Sequence, residues 1–199
     1  MAFFGEWVKQ GIALCEDLFC DMSSNHPHRK QWEAFANKSG LVVNKKLERY
    51  YNSGFLGWSK SDSVFINEWC QCFNVLASEG GDLKMFREFG FTYPVSSANQ
   101  DSLNLAAMFT NQPLSTVGPF AMGFQRGRYL MSHPIVLKPW RRKFFIEFLK
   151  GKPPRIEDTA FWRNVNGSEL MPFNSFKVKY KLGLIKMLRL FGRFYSKND

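Results

Sequence analysis

The chain has 199 residues, 45% of them hydrophobic and 17% aromatic, with a formal net charge of +10. That is enough apolar material for a packed core, which excludes disorder throughout, and no apolar run reaches the roughly 18 residues that would span a bilayer. Residues 1–125 hold 10 Lys/Arg against 12 Asp/Glu while residues 126–199 hold 17 against 5, so the cationic excess lies in the last third and points to nucleic acid, an anionic membrane or a phosphorylated ligand.

The first segment, "MAFFGEWVKQGIAL", lacks a basic leader and a small-residue cleavage site, and is not read as a signal peptide. Phe3, Phe4, Trp7 and Val8 share a helical face, Gly11 stops it, and Ile12 to Leu14 reads as a short buried strand. "SSNHPHRKQWEAFANKSG" opens with cap-type residues and predicts a helix from about Arg29 to Asn37, ending at Gly40 and leaving His26 and His28 in an exposed loop. "YYNSGFLGW", Tyr50 to Trp58, reads as a strand in which Gly54 and Gly57 permit close approach. In "SDSVFINEWCQCFNVLASEGG", Ser61 is the expected N-cap. Val64, Phe65, Trp69, Phe73 and Leu76 form the expected apolar face, and Gly80-Gly81 the expected stop.

"NQDSLNLAAMF" reads as the opening of another helix, with Asn99 and Asp101 at its N-terminal end. After Pro113 short strands and turns are expected. "HPIVLKPWRRKF" then combines His133, Lys138, Pro139, Trp140 and three consecutive cations. It reads either as an anion site, with Lys138 restricted by Pro139 and Trp140 walling off water, or as a basic turn before a helix at about Arg141 to Lys150. Of the cysteines, Cys15, Cys20, Cys70 and Cys72, no pair has C-x-x-C spacing. Reduced thiols of a cytosolic protein are expected, and a zinc site with His26 and His28 is disfavoured by the irregular spacing.

"GKPPRIEDTAFW" reads as a proline-rich linker. The expected organisation is therefore a domain over 1–150, a linker over 151–173 and a basic C-terminal helix over 174–199. In that helix Leu184, Leu188, Phe191 and Tyr195 form a stripe, with Lys186, Arg189 and Arg193 on another side, extended by Lys179 and Lys197. Two readings stand: an interfacial helix on anionic lipid, or a docked helix with a solvated basic face. Strands alternating with helices predict an α/β domain with some α+β character.

Three segments, "YYNSGFLGW", "NQDSLN" and a His followed by "KPW", occur in an order that resembles the second half of GT-A-fold glycosyltransferases, the family of glycogenin and the bacterial lipooligosaccharide galactosyltransferases. The resemblance covers roughly Tyr50 to Trp140. It implies a partial nucleotide-diphospho-sugar transferase domain moving a hexose from a nucleotide sugar to a glycan or glycolipid acceptor, as in lipopolysaccharide biosynthesis, with a divalent metal (Mn or Mg). Asn52 and Gly54 would lie beside the donor sugar. Asp101 and Gln100 would be catalytic, Asn104 would bind sugar hydroxyls, and His133 would ligate metal and diphosphate. Lys138 would sit on the leaving diphosphate with Trp140 as its support.

The chain departs from the family pattern in three respects. Asn99 stands where the family has its first Asp. Four residues instead of five separate His133 from Lys138, with no glycine between them. No Asp-x-Asp occurs, and residues 1–49 are too few for the upstream nucleotide-binding half. A truncated transferase, weak or inactive alone, is therefore expected, cytoplasmic and peripheral at the inner face of the membrane. The alternative is a non-catalytic basic protein on an anionic membrane surface. A nucleic-acid partner is disfavoured because no RNP, KH or helix-turn-helix signature is present, and a hydrolase because no G-x-S-x-G occurs.

Overall fold

The computed structural model describes residues 2–18, 22–79, 95–123, 130, 131, 133, 138–166 and 172–192. Among them it is a mixed α/β protein of three strands and seven helices, and it divides into two compact units, 1–129 and 130–199. Gly80, Gly81, Arg193, Tyr195 and Lys197, and most of the stretch 124–137 where short strands were expected, lie outside the described residues.

In the first unit, α1 (Ala2–Trp7) leads through a 3-10 turn to β1 (Ile12–Glu16). Gly11 makes that junction possible: its φ is +124°, and a Cβ there would lie 2.3 Å from the Pro113 carbonyl oxygen. β1 is the middle strand, with Ile12, Ala13, Leu14 and Cys15 fully buried, as expected for a strand covered on both faces. It pairs antiparallel with β2 (Tyr51–Gly57) and parallel with β3 (Leu114–Val117). Gly57 is a close-approach position as expected: a Cβ there would meet a Val8 methyl at 2.9 Å.

Helices α2 (Pro27–Lys38), α3 (Val64–Glu79) and α4 (Ala98–Phe109) complete this unit. α2 starts two residues earlier than predicted, because Pro27 fits the first helical position and the His26 side chain caps the His28 N–H. His28 is therefore buried in the first turn and not an exposed loop residue. α3 buries Phe65, Cys72, Val75 and Leu76, while Val64 and Phe73 are exposed. The small, apolar Cys72 takes the centre of the face and turns the bulkier Phe73 to its flank. Ser61 lies inside a 3-10 turn, Lys60–Asp62, and is not the N-cap. α4 is enclosed on all sides, from Asp101 to Met108.

The second unit contains α5 (Phe144–Leu149), α6 (Ile156–Asn166) and α7 (Ser175–Phe191). The expected linker, 151–173, thus carries a helix: Pro153 and Pro154 precede it, and Asp158 accepts from the Arg155 N–H at its first turn. Phe144, Trp162, Val165, Val178, Ile185 and Leu188 form this unit's core. Arg142, from the three-cation run, is buried. It donates to Glu147 Oε2 at 2.5 Å and also to Asp158, which is fully buried and bonded to Arg155 as well.

α7 buries only part of the predicted stripe, Leu188 in the core and Leu184 packed against it. Val178, Ile185 and Leu188 face the core, Leu184 is half-buried and Phe191 is exposed. The reason is that α7 offers two apolar stripes, and α5 and α6 cover the one through Val178 and Ile185. Among the described residues no helix is long and apolar enough to cross a membrane.

Candidate functional site

The parallel pair β1 and β3 ends on the same edge where antiparallel β2 begins, and ligands of open α/β sheets gather at such carboxyl ends. The register from Leu14↔Leu56 to Cys15↔Asn52 leaves Ser53, Gly54 and Phe55 without partners on β1. This bulge re-aims the start of β2, as bulges beside functional sites do. The Asn52 carboxamide turns back to accept from the Gly54 N–H at 2.7 Å and donates to Asp17 Oδ2 at 2.7 Å. Asp17 is placed there because its N–H continues the ladder to the Tyr50 carbonyl, 2.8 Å away.

The N-terminal turn of α4 completes the group. Gln100 donates to the same Asp17 oxygen at 2.9 Å and accepts from the Ser53 N–H at 3.1 Å. Exposed Asn99 donates to Ser53 Oγ at 3.1 Å. One half-buried carboxylate oxygen is thus held by two carboxamides from segments 35 and 83 residues away. Beside it, Asn99 also lines a hollow of about 350 Å³ with Ile66, Trp69, Cys70 and Phe73. An apolar, aromatic wall next to a few oriented polar groups is the usual composition of a small-molecule site.

The expected site residues fall into three groups. Asn52, Gly54 and Gln100 lie at this edge. Asp101 and Asn104 do not reach it, and both are fully buried. Asn104 pairs its carboxamide with both backbone groups of Tyr51 at 2.8 Å. Asp101 accepts from the Tyr50 hydroxyl and from the N–H groups of Ser96 and Ser97, at 2.7 and 2.9 Å for the last two. It anchors the start of α4, the turn that carries Gln100. Burial raises its carboxyl above the ordinary range, opposed by the Tyr50, Ser97 and Ser96 hydrogen bonds and by the nearby His28.

His133, Lys138, Trp140, Lys186 and Arg189 belong to the second unit. Lys138 begins a turn in which its carbonyl accepts from the Arg141 N–H at 2.9 Å, Pro139 is buried, and Trp140 is 40% exposed with its ring 5.1 Å from Phe161. Among the described residues no three His, Cys, Asp or Glu side chains are grouped to hold a metal. Burial pushes the Cys15 and Cys72 thiols up to about 12, which leaves both un-ionised and suits structural cysteines.

Asp17 is the residue that sequence reasoning missed. Its one signal was position, the second of two acids after the apolar run Ile12 to Cys15.

Comparison with protein-family models, curated proteins and solved structures finds no match.

Proposed function

We propose that the first unit handles the donor sugar of a nucleotide-diphospho-sugar-dependent hexosyltransferase, acting on a glycan or glycolipid acceptor. The carrying observation is that Asn52 and Gln100, two residues implied by the motif order, meet on one carboxylate, Asp17, at the strand-end edge. Sugar hydroxyls are recognised by acceptors and donors held in fixed directions, and the carboxamide–carboxylate group supplies both. Departure of the nucleoside diphosphate leaves positive character at the sugar carbon, which a preoriented carboxylate stabilises. Asp17 and Gln100 take the roles nearest the sugar, and Asp101 holds Gln100 in place.

The test is chemical-shift mapping of the whole chain against a panel of nucleoside-diphosphate hexoses at millimolar concentration with Mg. The expected result is weak binding of one donor, reduced about tenfold in Asp17→Asn and in Gln100→Ala. Binding at full strength in both variants, or none by the wild type, rejects the reading.

A second reading, attachment to an anionic membrane surface, is favoured by the outward face of α7. Phe176, Tyr180, Met187, Leu190 and Phe191 recur there at helical spacing and are 44–79% exposed. Exposed Lys177, Lys179 and Lys186 flank them, which is the make-up of an interfacial helix. Arg189, expected in this set, donates instead to Thr159 on α6. Co-sedimentation with anionic vesicles is expected to fall in Phe176→Ser/Phe191→Ser, and unchanged binding dismisses this face.

A further inference from the structure

A groove of about 500 Å³ runs between α6 and α7, within the second unit. Arg163 of α6 and Lys186 and Arg189 of α7 line it, and Leu182 and Leu190 give it an apolar wall. Three cations therefore converge from two helices. None of them belongs to an ion pair among the described residues, and the unit's buried carboxylate, Asp158, is taken by Arg142 and Arg155. Arg189 is also oriented: its guanidinium donates to Thr159 Oγ1 at 3.3 Å.

Like charges on adjoining helices repel, and a concave surface with low-dielectric walls focuses their field on whatever enters. A phosphate group matches this arrangement. It carries one or two negative charges and several acceptor oxygens, and guanidinium forks bind such oxygens in pairs. The leucine wall adds room for hydrocarbon beside the phosphate.

We infer that the α6–α7 groove binds the phosphate group of an anionic ligand through Arg163, Lys186 and Arg189. The inference rests on these two helices and not on the transferase reading. Two sources share the chemistry, a soluble phosphate compound and a lipid headgroup, and titration of the full chain separates them. The probes are inorganic pyrophosphate and monomeric dihexanoyl phosphatidate. Arg163→Gln/Arg189→Gln is expected to weaken binding about tenfold, while the charge-matched Lys150→Gln/Lys152→Gln, whose side chains are outside the groove, leaves it within about twofold. Should the double variant melt early, Lys186→Gln carries the comparison.

Tighter binding of phosphatidate, with a loss confined to it in Leu190→Ser, identifies a lipid. Equal binding of pyrophosphate with Leu190→Ser silent identifies a soluble phosphate. Either outcome supports the site. Equal loss in the control pair, or no binding of either probe, overturns it.

Discussion

The two units treat buried carboxylates in opposite ways. In the first, Asp101 is bonded to no cation among the described residues and is held by one hydroxyl and two backbone N–H groups, and burial raises its carboxyl. In the second, Asp158 is equally inaccessible but is held by two guanidinium groups. The difference follows the composition. Residues 1–129 carry 12 Lys/Arg and 12 Asp/Glu, whereas residues 130–199 carry 15 and 5. A unit rich in cations neutralises its internal acid with them. A balanced unit spends dipoles, and the helix end it fixes in this way presents Gln100.

The comparison breaks most readily at Arg142. Arg142→Ala leaves buried Asp158 with Arg155 alone, and loss of a buried ionic partner costs about 3–5 kcal/mol. Hydrogen exchange across α6 and α7 is expected to accelerate accordingly, and native-like protection would show that the ion network is not what holds this unit.

Asp101→Ala removes the shared acceptor of three donors and is expected to cost roughly 3 kcal/mol in denaturant unfolding. Asp101→Asn sharpens the contrast through pH. Because the folded-state pKa of Asp101 is raised, its stabilising contribution is complete below the ordinary carboxylate range and is lost as pH rises through the folded value. The stability advantage of wild type over Asp101→Asn is therefore expected to shrink as pH rises from the ordinary carboxylate range through the raised folded value. A constant or growing difference contradicts the uncompensated burial.

A smaller effect is expected one residue earlier. Gln100→Ala loses two hydrogen bonds at a half-buried position, and about 1 kcal/mol of stability follows from that. A melting temperature as low as that of Asp101→Ala would make Gln100 a structural residue. The smallest effect is chemical: under native conditions site-resolved alkylation is expected to modify exposed Cys70 and spare buried Cys15 and Cys72, whose thiols stay protonated.

Local signals carried much of the fold. Gly11 and the apolar run after it mark the junction of α1 with β1, and the amphipathic period of α3 and the opening of α4 are visible in the chain. Trp69 packs on the apolar face of α3 as expected, but nothing near it in the chain announces its hydrogen bond to Ser102 of α4. His28 reads as a loop histidine until Pro27 is allowed to start the helix. At the strand-end edge, motif order had named Asn52 and Gln100 but not Asp17, whose partners lie 35 and 83 residues away.

By itself the sequence determined where charge is concentrated, which segments other than α6 are helical or extended, and which polar residues stand beside turns and helix starts. These follow from composition and from the short periods of helix and strand. Only the tertiary structure decided between Gln100 and Asp101 at the strand-end edge, and between the two apolar stripes of α7. Periodicity states which side chains share a face, but which face becomes buried depends on the neighbour that covers it.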